Sequence, residues 1–131
     1  MLNKNIISHL TEINNRFNNG NICEYLKDPN YSYEELKKDF KFPSLACIYE
    51  DLVDNINKLK DATGEARVNL KVNIYSNIKS LFGYLLCLLD TDTISDYEYA
   101  HATTDLELII DVLDGHVPKS ILYEEDGETT E

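Results

Sequence analysis

The sequence predicts a mostly α-helical fold, a single-domain bundle of about five to six helices around a central apolar helix at residues 66–89. Three observations lead to this prediction. The length of 131 residues is the usual size of one domain. Apolar residues recur at spacings of three and four along most of the chain, and capping residues, glycines and prolines separate these stripes. The domain is predicted to span residues 1–123, and residues 124–131 are predicted to form an acidic, flexible tail.

The first helix is predicted over residues 5–17, because the apolar residues there lie on one face. They are spaced by four, three and four residues: Ile6, Leu10, Ile13 and Phe17. Residues 18–20 (Asn-Asn-Gly) favour a stop, since Asn and Gly tolerate the left-handed conformation that ends helices. A short helix is then expected, with Ile22, Tyr25 and Leu26 facing inward and its end at Asp28-Pro29. Ser32 with Glu35 matches a capping box and predicts a further helix through residue 40.

The next helix is predicted from residue 45, with Ser44 as its N-cap. Its inward stripe is formed by Leu45, Ile48, Leu52, Ile56 and Leu59. The Thr63-Gly64 pair is expected to end this segment before the central helix begins.

The segment around residues 67–75 has two interpretations. Val68, Leu70, Val72 and Ile74 alternate with polar residues, which is typical of a strand. A helical stripe also passes through Val68, Val72, Tyr75, Phe82, Leu85 or Leu86, and Leu89. We favour one long helix, with an α+β fold containing a short strand near residues 67–75 as the alternative. The continuous apolar run at residues 81–89 should be the most buried part, and it is shorter than the roughly 20 residues that span a bilayer.

The last major helix is predicted over residues 95–114. Thr93 and Ser95 can each cap its start, and Ser95 with Glu98 forms a second capping-box match. The inward stripe is Tyr99, Ala102, Leu106, Ile109 or Ile110, and Leu113. Gly115 and Pro118 end the helix, and residues 121–123 are expected to dock back on the core.

The negative charge of the chain is concentrated in its last third. Residues 1–89 contain 11 acids and 11 bases, whereas residues 90–131 contain 13 acids and a single base, Lys119. The formal net charge of −12 therefore belongs to the second segment. A surface of one sign repels nucleic acid and anionic membranes and attracts cationic proteins. We expect a basic protein as partner, with no direct contact to nucleic acid or membrane.

Helical periodicity collects part of this charge on one face of the last helix. Asp96, Glu107, Asp111 and Asp114 share that face, although like charges at such spacings and acids near a helix C-terminus are destabilising. Two interpretations stand: a face that binds a basic partner, or an ordinary solvated surface. On the first, the predicted partner-binding residues are Asp92, Asp96, Tyr97, Glu98, Glu107, Asp111 and Asp114.

No catalytic, cofactor or metal site is predicted. The acids after Asp90 fail the EF-hand pattern, and the three histidines have no zinc-ligand spacing. His101 and Asp105, four residues apart, are expected to form a surface pair. Cys23, Cys47 and Cys87 are interpreted as buried thiols in a reducing compartment. With no secretory signal, the chain is expected to be soluble and cytoplasmic.

These observations predict a non-enzymatic acidic protein that inhibits or neutralises a basic protein partner. In kind it is similar to bacterial immunity proteins or antitoxins against nuclease-type toxins, which are also small, acidic and intracellular. The alternatives are a nucleic-acid-mimicking phage-type inhibitor (anti-restriction or anti-CRISPR), or a helical adaptor or homo-oligomer without an inhibitory role. Exposed apolar residues on the helix at residues 45–59 would favour the last alternative. The sequence leaves the oligomeric state open.

Overall fold

The computed structural model describes residues 1–17 and 45–124. This part of the chain contains four α-helices, α1 (Ser8–Phe17), α2 (Leu45–Leu59), α3 (Gly64–Asp90) and α4 (Asp96–Leu113), and two short 3₁₀ helices at Lys4–Ile7 and Lys119–Leu122. Between its ends, Leu2 and Tyr123 form an isolated antiparallel bridge. The prediction of a mostly helical protein is confirmed. The short helix predicted before residues 28–29, the helix predicted through residue 40, and residues 125–131 of the predicted tail lie outside the described residues.

The four helices form a closed ring around one core. α2 packs along α3, α3 along α4, α4 along α1, and α1 against α2. Each helix contributes side chains that are at most 2% exposed, among them Leu10, Ile13, Leu52, Ile56, Leu81, Leu85, Leu106 and Ile109. Burying one such aliphatic side chain stabilises the fold by about 1.5–3 kcal/mol. The ring therefore depends on apolar packing from all four helices.

α3 is one continuous helix, so the alternative with a strand near residues 67–75 is wrong. The stripe that faces the core also differs from the predicted one. It consists of Ile74, Ile78, Leu81, Leu85 and Leu88, whereas Val68 and Val72 are 57% and 60% exposed. The reason is that α3 carries two apolar stripes on different faces, with centres about 120° apart around the helix. Periodicity identifies both stripes and does not say which one packs against the other helices.

The predicted inward stripes of α2 and α4 are confirmed. All five predicted residues of α2 are buried, as are Ala102, Leu106, Ile109 and Leu113 of α4. Because these residues of α2 are buried, α2 gives no support to the adaptor alternative. Gly115 has a φ of +86° and ends α4 in a Schellman motif. In this motif the Gly115 amide donates to the Val112 carbonyl at 3.1 Å, and the His116 amide donates to the Asp111 carbonyl at 2.9 Å.

The first and last described segments lie side by side. The Asn3 amide donates to the Leu122 carbonyl at 2.7 Å, and the Glu124 amide donates to the Met1 carbonyl at 2.9 Å. Tyr123 is buried and its hydroxyl donates to the Ile56 carbonyl at 2.8 Å. The predicted docking of residues 121–123 on the core is confirmed.

Two further findings concern the cysteines and α3. Cys87 is buried as predicted, but Cys47 is exposed, because its neighbours Ile48 and Tyr49 occupy the core-facing positions of α2. The Cys87 thiol is free, and Cys23 lies outside the described residues. By length and composition alone α3 could cross a membrane, a criterion that the core helix of a soluble protein also meets.

Candidate partner-binding surface

The start of α4 is fixed by a tight turn and a capping box. Ser95 accepts a hydrogen bond from the Glu98 amide at 3.1 Å, and the Glu98 carboxylate accepts one from the Ser95 amide at 2.9 Å. In the turn, the buried Thr91 hydroxyl donates to the Cys87 carbonyl at 3.0 Å. Asp92 is exposed and has a φ of +59°. The predicted N-cap is confirmed, and these bonds give α4 a defined origin.

Four carboxylates form an exposed line along α4, which we call the acidic stripe: Asp96, Glu107, Asp111 and Asp114. A helix rises 1.5 Å per residue, so Glu107, Asp111 and Asp114 follow each other at axial steps of about 4.5–6 Å. Asp96 is about 16 Å further along the axis. Residues 96–113 contain no Lys or Arg. The stripe therefore presents negative charge that its own helix does not neutralise.

The neighbours of the acidic stripe modify it only weakly. His116 Nδ1 lies 3.9 Å from a carboxylate oxygen of Asp111, and both side chains are more than half exposed. The Tyr75 hydroxyl of α3 donates a hydrogen bond to Asp114, which raises the pKa of Tyr75. Tyr75 stays a neutral donor near neutral pH, so it satisfies the carboxylate of Asp114 without cancelling its charge.

Glu98 is oriented differently from the acidic stripe. Its carboxylate accepts a hydrogen bond from Arg16 of α1 at 2.6 Å, and this contact lowers the pKa of Glu98. Its side chain is 29% exposed. Glu98 thus links α1 to α4 and caps α4, and its charge already has a counter-ion. Among the predicted partner-binding residues it is the one most occupied by internal contacts.

Tyr97 is 64% exposed and belongs to a small aromatic cluster between α1 and α4. Its ring centroid lies 4.2 Å from that of His101, which in turn stacks on His9 at 4.6 Å. A cavity of about 30 Å³ lies beside it, lined by His9, Glu12, Ile13, Tyr97 and Glu98. Because the rings of His101 and His9 restrict the Tyr97 side chain, Tyr97 can contact a partner at small entropic cost.

Asp105 has a structural role that the sequence did not indicate. One of its carboxylate oxygens accepts hydrogen bonds from the His9 and Leu10 amides, at 3.0 and 3.1 Å, at the start of α1. Burial raises the pKa of Asp105, and the bonds from these two amides oppose that rise. The predicted pair of Asp105 with His101 is wrong. Asp105 and Leu10 are 95 positions apart in the sequence, so local spacing could not reveal this contact.

A larger concavity of about 630 Å³ opens between α1 and α2. Its lining includes Thr11, whose hydroxyl is 2.7 Å from that of Tyr49, and Asn14, whose buried Oδ1 has no partner. None of the predicted partner-binding residues lines it. In the described ranges, no three His, Cys, Asp or Glu side chains are grouped so as to hold a metal ion.

The predicted residues therefore fall into three places. Asp96, Glu107, Asp111 and Asp114 form the acidic stripe, Tyr97 and Glu98 face the border with α1, and Asp92 lies in the preceding turn. The chain matches no model of a known protein family, and neither a curated protein nor a solved structure shows significant similarity to it.

Proposed function

We propose that this chain is a non-enzymatic cytoplasmic protein that binds and neutralises a basic protein, in the manner of an immunity protein or antitoxin against a nuclease-type toxin. The observation that carries the proposal is the acidic stripe, which is exposed on a helix fixed at both ends. Residues 90–124 contain nine acids and one base, Lys119, a sum of −8. Lys119 donates to the Leu59 and Lys60 carbonyls at the end of α2.

The acidic stripe has the properties of a surface that recognises a positively charged protein. A rigid helix holds the carboxylates in place, so little side-chain and backbone entropy is lost when a partner docks. Charges of one sign also increase the rate of encounter with an oppositely charged protein. Nuclease toxins carry positive surfaces because they contact nucleic-acid phosphates. Tyr97, ordered by His101 and His9, supplies an aromatic anchor at the edge of the same helix.

Mimicry of nucleic acid is less well supported. Phosphates of one strand recur regularly along a duplex, at about 3.4 Å of axis per nucleotide. On α4 the closely spaced carboxylates run from Asp114 back to Glu107. The same face then carries no acid for about 16 Å of helix axis, until Asp96. The neutral sum of residues 1–89 also limits the extent of the negative surface. Binding to a basic protein needs no such regular spacing.

The test is capture of a partner at low salt with the acidic stripe intact or neutralised. The wild-type chain and the variant Glu107→Gln/Asp111→Asn/Asp114→Asn are immobilised and exposed to lysate of the native organism. Bound proteins are eluted with salt and identified by mass spectrometry. We expect the wild-type chain to retain a basic protein whose nuclease activity on DNA or RNA it inhibits. Three exposed contacts at about 1 kcal/mol or less each predict a loss of affinity of about 10- to 100-fold in the variant.

The matched control removes three exposed acids elsewhere: Glu50→Gln/Asp61→Asn/Glu65→Gln. It has the same net charge as the stripe variant, and all three residues are exposed. Equal loss of binding in both variants would show that only net charge matters. Unchanged binding in the stripe variant would show that the acidic stripe is solvated surface, and either result contradicts the proposal.

A further inference from the structure

The outward face of α3 carries a second apolar stripe, which we call the outer seam. Its members are Val68, Val72, Tyr75, Lys79, Phe82 and Leu86. Val68, Val72 and Leu86 are each more than half exposed, Tyr75 is 37% exposed, and Phe82 is partly buried. Five of the six positions are apolar or aromatic. Val68 and Val72 are consecutive members of the seam, Leu86 lies at its other end, and exposed apolar residues grouped on one face are typical of an interface.

The spacing of the outer seam is that of a coiled coil. Successive members are separated by four, three, four, three and four residues, which is the heptad pattern of alternating a and d positions. The seam extends over 19 residues, from Val68 to Leu86, about 27 Å of helix. It is narrow and straight, whereas the face of a helix that packs inside a globular domain is usually wider.

The spacing of the seam is also the same when read in either direction. Two copies of α3 in antiparallel contact would place Val68 opposite Leu86, Val72 opposite Phe82, and Tyr75 opposite Lys79. The four outer members then meet aliphatic or aromatic partners across a two-fold axis, and Tyr75 meets Lys79; each contact occurs twice, as in an isologous interface.

Lys79 is the single charged member, and it distinguishes the two possible orientations. In parallel contact Lys79 would face Lys79 of the second copy, and the two positive charges would repel each other. In antiparallel contact Lys79 faces Tyr75 of the second copy. The Tyr75 hydroxyl donates a hydrogen bond to the Asp114 carboxylate, which places a negative charge beside the seam. A polar residue at one a position commonly specifies the register and the partner in this way.

From this geometry we infer that the outer seam of α3 binds a second copy of the same chain in antiparallel orientation, with Lys79 of each copy paired to the Tyr75–Asp114 pair of the other. The occupant is a second copy because the spacing of the seam matches itself in antiparallel contact, and because Lys79 then meets the Tyr75–Asp114 pair of opposite charge. A basic partner, in contrast, would meet Lys79 at the centre of the seam. This inference does not depend on the proposed function, since the seam lies on α3 and shares only Asp114 with the acidic stripe.

The first experiment is sedimentation of the full chain over a wide range of concentrations. We expect a monomer–dimer equilibrium for the wild type. Val72→Glu should raise the dimer dissociation constant by about tenfold or more, because a charge enters the apolar seam. Asn73→Glu is the matched control. It adds the same charge at the adjacent exposed position, off the seam, and should dimerise as the wild type does. Circular dichroism of both variants checks that the fold is retained.

Salt separates this contact from the binding of a basic partner. An apolar seam persists at raised salt, whereas binding through the acidic stripe weakens. A wild-type chain that is monomeric at all concentrations overturns the inference, as does equal behaviour of Val72→Glu and Asn73→Glu. Binding to vesicles of phosphatidylcholine and phosphatidylglycerol in place of self-association also overturns it, in favour of a membrane.

The orientation is tested by disulfide formation in a background with Cys23→Ser and Cys47→Ser. One chain carries Val68→Cys and a second carries Leu86→Cys. Antiparallel contact predicts a disulfide when the two chains are mixed and little when either is oxidised alone. Efficient crosslinking of Val68→Cys to itself would contradict the antiparallel register.

Discussion

Replacing Asp105 by Ala tests the contact that fixes α1 on α4. The carboxylate of Asp105 is 12% exposed and accepts the amides of His9 and Leu10. Its removal leaves two donors without a partner at the start of α1. An unpaired buried donor costs about 1–3 kcal/mol, but His9 is 34% exposed and water can reach part of this site. We therefore expect Asp105→Ala to lower the free energy of unfolding by about 2 kcal/mol.

The assay is urea denaturation followed by circular dichroism, with linear extrapolation to water. Asp105→Asn keeps an acceptor oxygen and should cost about half as much, about 1 kcal/mol. The control is Asp111→Ala on the same helix, which should change stability by less than about 0.5 kcal/mol because the side chain is exposed. If Asp105→Ala and Asp111→Ala proved equally stable, the proposed role of Asp105 at the start of α1 would be wrong.

The pH dependence gives a second, independent readout for Asp105. Burial raises the pKa of this group in the folded state. Between its ordinary pKa and the raised value, the folded state binds the proton more readily than the unfolded chain, so its contribution to stability falls as the pH rises through that window. The stability advantage of the wild type over Asp105→Asn should thus be largest in acid. A constant difference across this window would contradict the raised pKa.

The remaining predictions concern three other contacts. Gly115→Ala should cost about 1 kcal/mol, measured by thermal unfolding, because φ is +86° and no atom lies within 4 Å of the added Cβ; an unchanged melting temperature would contradict the left-handed end of α4. Tyr123→Phe loses the bond to the Ile56 carbonyl and should cost about 1 kcal/mol. Burial raises the pKa of Tyr123 to about 12, so the wild type should lose stability between about pH 10 and 12, and Tyr123→Phe should not show this loss. Glu98→Gln should cost less than about 1 kcal/mol, since the Arg16 pair is partly exposed. Arg16 lowers the pKa of Glu98, so the wild-type advantage should disappear as the pH falls through that lowered pKa. Urea denaturation at a series of pH values tests the predictions for Tyr123 and for Glu98.

The amphipathic helices were predictable because their apolar stripes and caps coincide. α2 and α4 each carry one inward stripe, and Ser95 and Gly115 mark the two ends of α4 through local chemistry that the sequence shows directly. For α3, apolar periodicity predicted the wrong buried face. Ile74 and Val72 belong to two stripes of equal quality, and only the positions of α2 and α4 decide which one is buried.

The surface was predictable only where it depends on one helix. The acidic stripe follows from the periodicity of α4 alone, and its four members are exposed as that periodicity requires. The contacts of Glu98 with Arg16 and of Asp105 with α1 join residues more than 80 positions apart. No local pattern encodes such contacts, since they depend on how α1 closes the ring. The same limit applies to Tyr75 and Asp114, which meet only because α3 and α4 are neighbours.

The bridge between Leu2 and Tyr123 has a consequence for the connectivity of the fold. The Glu124 amide is bonded to the Met1 carbonyl, so these two residues are neighbours in space. With residues 125–131 removed, a short linker could join them, and a new opening could be placed in the turn between α2 and α3, at residues 60–63, without breaking a helix. Such a circular permutant should keep the same ring of helices. In this domain, the order in which helices follow each other along the chain is therefore separable from the arrangement in which they pack.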